Sequence, residues 1–310
     1  MQKTFINTIS ELAQINENVL YLGADNGTDF DALFKRSFPK QYFDLGIAEN
    51  NLVGVASGLA SCSKIPFVYT AAPFLAYRSY EFIRVDACFQ NLNVKFIGKE
   101  SALSISKLGP THHTTEDISV LRSLPNLTIL SASTPIEFRC ALLKAYEIVG
   151  PVYIRTELNL ASEIHSEENF NILAQHTISD IQNEDITIFT TGTIFEEVIK
   201  AQRILKENNI NAKLVQITSI KPFESTEFLS HIKNVKMVVS VEEHNVLGGL
   251  GSILSEIMTD NAQAKRLLRI GLDDTFAKGY ATLDELRKMN RLDAYSISEK
   301  IISTLKQEEA

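Results

Sequence analysis

Residues 42–84, YFDLGIAENNLVGVASGLASCSKIPFVYTAAPFLAYRSYEFIR, decide how the rest of the chain is read. An extended run closes at Gly46, and a helix rich in small residues opens at Glu49, a carboxylate placed at the junction. An acid in the first turn of a helix is favoured by the macrodipole, and Asn50 and Asn51 are residues common near caps, so capping alone accounts for Glu49. Gly54, Ala56, Ser57, Gly58 and Ala60 need a different reason, because several of them weaken a helix. They suit a helix that must come close to another backbone, as at a tight subunit contact. One strand later, at residues 66–70, the chain enters a loop carrying the aromatic pair Phe74 and Tyr77, at a spacing that a core also accommodates.

The alternation seen in this stretch continues in both directions. Apolar positions three and four apart (Phe5, Ile9, Leu12, Ile15) predict a helix over 4–17, and the apolar run 19–22 predicts a strand covered on both faces. Helices are expected at 49–62, 76–91, 115–123 and 135–149, each followed by a strand, at 66–70, 94–98, 127–132 and 151–156. Residues 161–184 are polar and irregular and read as a linker. A second set follows, with strands at 186–190, 213–218, 237–241 and 267–271 and helices at 193–208, 224–232, 252–258, 283–289 and 296–307. The expected fold is therefore α/β, with two doubly wound, mainly parallel sheet domains at 1–160 and 185–310.

At 310 residues the chain is long enough for two such cores, and a hydrophobic fraction of 45% with 22% charged residues is that of an ordinary globular protein. A net charge of -8 offers no footprint for nucleic acid or an anionic membrane surface. Cys62, Cys88 and Cys140 are odd in number and widely spaced, which predicts buried, reduced thiols. The amino terminus lacks an apolar leader and no run is long enough to span a bilayer, so a cytoplasmic protein is expected.

The runs FDLGIAENNLVGVASGLA, LGPTHHTTEDI, LRSLPNLTIL, GPVYIRT and VVSVEEHNVLGGLGS closely resemble the carboxy-terminal half of transketolases, encoded as a separate chain. The resemblance implies a pyrimidine-binding domain followed by the transketolase C-terminal domain, in an enzyme whose thiamine diphosphate lies between two polypeptides. The family's Gly-Asp-Gly motif, followed further on by Asn, is missing, and GADNG at 23–27 is not that motif. The diphosphate and its Mg²⁺ or Ca²⁺ would then belong to a partner carrying the amino-terminal half, in an α2β2 assembly. Glu49 matches the family's catalytic glutamate, which lends a proton to the cofactor's pyrimidine so that its own imino group can activate the thiazolium. A desolvated carboxyl suits that task, since burial favours its protonated form. Phe74 matches the aromatic that stacks on the pyrimidine, and Tyr77 falls where the family lines the same pocket. His112 matches the histidine beside cofactor and substrate, and its neighbour His113 stands where the family usually carries Gln. Asp25 resembles an aspartate near the cofactor, although a turn-forming Asp before Asn-Gly reads equally well. His244, Gly248, Gly249 and Gly251 are assigned a structural role.

Three departures concern the substrate. Where the family holds a sugar phosphate with His and Arg and a hydroxyl with Asp, this chain has Glu100, Leu158 and Leu108. A carboxylate repels a phosphate and Leu cannot replace an arginine fork, so a sugar substrate unlike the common pentose phosphates is expected. A further departure, Ala71 in place of a second Phe, implies a roomier pocket. Three other readings stay open: the β-type subunit of a 2-oxo-acid dehydrogenase, half of a 1-deoxyxylulose-phosphate synthase, and a non-catalytic scaffolding subunit.

Overall fold

Short apolar runs become buried strands, and the amphipathic segments between them become the helices that cover them. The computed structural model describes residues 1–24, 27–179, 181 and 183–307. The chain begins α1 (Gln2–Ile15), β1 (Val19–Gly23), α2 (Asp29–Ser37), β2 (Tyr42–Asp44), α3 (Glu49–Ser61), β3 (Ile65–Ala71), α4 (Tyr80–Phe82) and β4 (Lys95–Lys99). It continues α5 (Asp117–Leu121), β5 (Thr128–Ala132), α6 (Pro135–Glu147), β6 (Val152–Thr156), β7 (Gln175–Ser179), β8 (Ile186–Thr191), α7 (Phe195–Glu207), β9 (Ala212–Ile217) and β10 (Ser219–Lys221). It closes α8 (Ser225–Ile232), β11 (Met237–Asn245), α9 (Leu250–Asp260), β12 (Arg266–Leu272), α10 (Leu283–Met289) and α11 (Ala294–Lys306).

Two mainly parallel sheets result, as expected. The first has the order β10-β5-β6-β4-β3-β1-β2, and its central strands pair in parallel, with Val19 opposite Ile65, Phe67 opposite Lys95 and Lys95 opposite Val152. β1 and β6 are buried along their whole length; β1 is accordingly a continuous apolar run, while β6 ends in the buried polar pair Arg155 and Thr156. The second sheet has the order β12-β11-β8-β9-β7, parallel except for β7, which runs antiparallel to β9. Its core is built from Ile186, Ile188, Leu214, Val239 and Ile270, with Val198 and Ile297 from the covering helices.

The chain divides into two compact units, the first made of Met1–Ser101, Val120–Ile172 and Ile220–Pro222, the second of Ala102–Ser119, Leu173–Ser219 and Phe223–Ala310. Chain order alone places residues 102–119 with the first domain, but Leu103 of this segment lies in the core of the second unit. The stretch 161–184 is only in part a linker, since it contains β7. That strand has a single fully buried residue, Gln175, so its polar residues disguise it. The three-residue β10 joins the first sheet at its edge beside β5, and its Lys221 Nζ donates to the carbonyls of Arg122, at 3.0 Å, and Leu124.

The helix expected over 76–91 is broken into π-helical turns at Phe74–Arg78 and Ile83–Phe89 around the short α4. Cys88 is buried, whereas Cys62, just past the end of α3, is exposed, contrary to the burial expected of it. Among the described residues no helix is long and apolar enough to cross a membrane.

Candidate active site

Gly46 turns the chain at a φ of 67°, and its amide donates to Asp44 Oδ1 at 3.0 Å, a local loop that ends β2 and starts α3. Glu49 therefore becomes the first residue of α3. It is 3% exposed, and its Oε2 accepts from Arg78 Nη1 at 2.6 Å. Arg78 comes from the π-helical turn that also supplies Phe74 and Tyr77, and its guanidinium carbon lies 4.7 Å from the centroid of the Phe74 ring. Ser79 Oγ, donating to Asn50 Oδ1 at 3.2 Å, ties the end of this turn to the start of α3. The stretch links Glu49 and Phe74 through Arg78, which sequence reasoning did not single out, with Tyr77 on the same π-helical turn. A π-turn inserted in a helix is itself a common mark of a functional site.

Ala56, Ser57 and Ala60 of α3 are buried within the chain, but its two glycines are not explained there. A side chain added at Gly58 would meet nothing within 4 Å, and one at Gly54 would reach Phe82 only at 3.9 Å. Nearby in sequence, Phe43, Ile47, Val85 and Phe89 are exposed apolar residues.

His112 lies on a loop of the second unit. Gly109, at a φ of 74°, makes the turn, and its carbonyl accepts from the amides of both His112, at 2.9 Å, and His113, at 3.2 Å. The half-buried His112 ring places Nδ1 2.9 Å from Thr111 Oγ1. Ala102 and Thr114 close the loop by exchanging backbone hydrogen bonds of 3.1 and 2.8 Å.

The VEEHN run of β11 and the glycines after it hold the far end of this loop. Asn245 N donates to the Thr115 carbonyl at 2.7 Å, Ser119 N to His244 Nε2 at 3.4 Å, and Ser119 Oγ to the Leu247 carbonyl at 2.5 Å. His244 Nδ1 stands 2.7 Å from the Asn245 carbonyl, so Nδ1 carries the proton and Nε2 accepts. Glu242, 1% exposed, accepts from Leu250 N at 2.7 Å and Gly251 N at 2.9 Å, at the N-terminus of α9. A Cβ at Gly249 would fall 2.1 Å from Glu242 Oε2 and 2.6 Å from His244 Nδ1, which is why glycine stands there. His244, Asn245 and Leu247 thus hold the far end of the segment bearing His112, and Gly249 leaves room for the Glu242 and His244 side chains.

His113 is buried, and burial lowers its pKa; the Ser106 carbonyl, Glu243 and Glu116 oppose that shift, and His112 adds to it. Behind it, Arg287 Nε pairs with Glu243 and its Nη2 donates to Thr193 Oγ1 at 2.9 Å.

The residues expected to read the substrate are also placed. Glu100 follows β4 with a φ of 62°, a left-handed backbone uncommon for a side chain of its size, and Lys99 Nζ approaches its carboxylate at 3.7 Å. Its charge is therefore partly balanced. Leu108, in the second unit, and Leu158, in the first, are exposed. Asp25 lies outside the described residues.

A buried carboxylate beside an aromatic face, both engaged by one flat, hydrogen-bond-donating cation, fits a planar heteroaromatic ring with a nitrogen at its edge. The donor set fits the pyrimidine end of thiamine diphosphate. For the diphosphate end, no three His, Cys, Asp or Glu gather into a metal-binding group among the described residues.

Known proteins give the same outline. The family described as transketolase, pyrimidine binding domain, matches residues 1–162, and that described as transketolase, C-terminal domain, matches residues 176–297. The chain is 36% identical over 275 residues to one of the subunits of the apulose-4-phosphate transketolase of Actinobacillus succinogenes, covering 88% of this chain and 87% of that protein. It is 30% identical over 279 residues to the 6-deoxy-6-sulfo-D-fructose transketolase subunit SqwH of Clostridium sp. strain MSTE9, covering 90% and 86%. Among solved structures, a split gene transketolase described as an inactive beta4 tetramer superposes with a TM-score of 0.88 at 31% identity, covering 98% of this chain and 97% of that one.

Proposed function

The chain belongs to the transketolase family, corresponding to its carboxy-terminal section, and from that premise we propose that it is the pyrimidine-activating subunit of a two-chain, thiamine-diphosphate-dependent ketol transferase. The observation that carries this reading is the buried Glu49 set beside the Phe74 ring. Glu49 shares a proton with the pyrimidine nitrogen, the Phe74 face stacks on that ring, and Tyr77 lines the pocket wall. His112, half-buried on its anchored loop, presents an imidazole to the substrate and moves a proton there. Thiamine diphosphate, when bound, supplies the carbanion that accepts and passes on a two-carbon ketol unit.

The diphosphate and its Mg²⁺ or Ca²⁺ are assigned to a partner with the amino-terminal half. The exposed apolar residues around α3 and its two glycines suit association in an α2β2 complex. The site needs no nucleic acid or membrane, and the protein is assigned to the cytoplasm.

The donor and acceptor are sugars, and recognition differs from that of pentose-phosphate transketolases. Glu100 and Leu158 stand where a phosphate clamp is expected and Leu108 where an Asp would contact a substrate hydroxyl, and the two related transketolases are named for other substrates, apulose 4-phosphate and 6-deoxy-6-sulfo-D-fructose. The test is a calorimetric titration with thiamine diphosphate and Mg²⁺ of this chain alone and of the chain assembled with its partner, followed by assay of the complex with xylulose 5-phosphate and ribose 5-phosphate. Tight binding is expected only in the complex, with poor turnover of the pentose pair. Tight binding by the chain alone would contradict the split-site reading, and full turnover would contradict the substrate reading.

A further inference from the structure

Arg78 is engaged on two sides at once. Its Nη1 holds Glu49 Oε2 at 2.6 Å, and its guanidinium carbon stands 4.7 Å from the Phe74 centroid. These are the two groups assigned above to the pyrimidine, an acid for its ring nitrogen and a face for stacking. The guanidinium is planar and carries N–H donors in its plane, so one side chain meets the electrostatic demand of the carboxylate and covers the aromatic face. A ring stacked on the same face cannot coexist with it.

The surroundings make the arrangement exchangeable. Glu49 is 3% exposed, while Arg78 is 49% exposed, so the cation reaches solvent by rotating its stem and the acid stays where it is. Phe74 and Arg78 lie four residues apart within one π-helical turn, which puts both on one face. That turn is also tied to α3 by Ser79 on Asn50, a contact that does not depend on the arginine. The pocket walls therefore remain when the guanidinium leaves.

We propose that Arg78 is a displaceable counter-ion of the cofactor site: it holds the Glu49 carboxylate and the Phe74 face in the cofactor-free protein and swings out when the pyrimidine takes both. The proposal rests on the thiamine-diphosphate reading and names a step in loading that site. Shortening Arg78 removes the competitor and leaves a buried acid with no cation. The cofactor-free protein loses stability, and the cofactor gains affinity. Arg78→Lys keeps the charge without the flat fork and falls between.

The test is made on the complex assembled with its partner. Titration calorimetry with thiamine diphosphate and Mg²⁺, and thermal unfolding with and without cofactor, are measured for wild type, Arg78→Ala and Arg78→Lys. The expected result is a dissociation constant about 10-fold lower in the alanine variant and less changed in the lysine variant. The cofactor-free midpoint should drop, and the gain in midpoint on adding cofactor should grow. Unchanged or weaker cofactor binding by Arg78→Ala would overturn the proposal, assigning Arg78 to the bound cofactor or to neither. If the alanine variant does not fold, the lysine variant carries the same sign and decides. Failure of the wild-type complex to bind cofactor would sink the thiamine-diphosphate reading and this inference with it, whereas binding without tightening sinks the inference alone.

Discussion

Two of the buried glutamates, one against the N-terminus of α9 and one opening α3, are held in opposite ways. Glu242, 1% exposed, gives its carboxylate to the amides of Leu250 and Gly251 at the start of α9. Glu49, 3% exposed at the start of α3, pairs with the half-exposed side chain of Arg78. A carboxylate bonded to helix amides is committed to the fold, because nothing else can satisfy those donors without unmaking the helix end. A carboxylate bonded to a half-exposed arginine can change partners. Burial does not separate the acid proposed to work on the cofactor from the structural one; the kind of donor does.

Substitutions at the two positions should break this contrast in different ways. Glu49→Ala should lower turnover of the assembled complex by about 100- to 10,000-fold while both chains stay folded and associated, as checked by steady-state assay beside size-exclusion chromatography. Full activity in that variant would remove Glu49 from the chemistry. Gly249→Ala drives a methyl group against Glu242 and His244 and should destabilise the second unit by about 3 kcal/mol in denaturant unfolding. Faster hydrogen exchange in residues 102–119 should accompany it, since His244 and Asn245 hold that loop. A variant with wild-type exchange would separate the Glu242 cluster from the His112 loop.

A smaller effect concerns pH. His231 in α8 has its pKa lowered from 6.5 to about 4, first by burial and then by Lys213, with Glu184 opposing. The unfolded chain takes up this proton before the folded chain does, so stability contributed by the neutral ring is lost as the pH falls from about 6.5 towards 4. Urea unfolding over that range should show a shallower pH slope for His231→Leu than for wild type. Equal slopes would place the titration elsewhere.

What can be read from the sequence follows how local each feature is. Glu49 and Phe74 are legible because one continuous stretch builds their surroundings. Arg78 is not, because an arginine in a helical segment reads as a solvated cation, and its engagement with Glu49 depends on a residue 29 positions away. The sheets are legible from covered apolar strands, whereas β7 is hidden by its polar residues and β10 by its length. α2 is also absent from the expected elements, although the capping box of Thr28 and Asp31, acids in its first turn and Lys35 and Arg36 in its last are local helix signals. The assignment of residues 102–119 to the second unit depends on contacts with residues more than a hundred positions away, such as Ser119 with His244, that no local pattern announces.

The central claim is that Glu49 activates the cofactor's pyrimidine. It is tested most directly by proton NMR of the exchange of the thiazolium C2 proton for deuterium in the assembled complex, comparing wild type with Glu49→Gln at saturating thiamine diphosphate. The account predicts exchange slower by about 100-fold or more in the glutamine variant with the cofactor still bound. Exchange at the wild-type rate would contradict it.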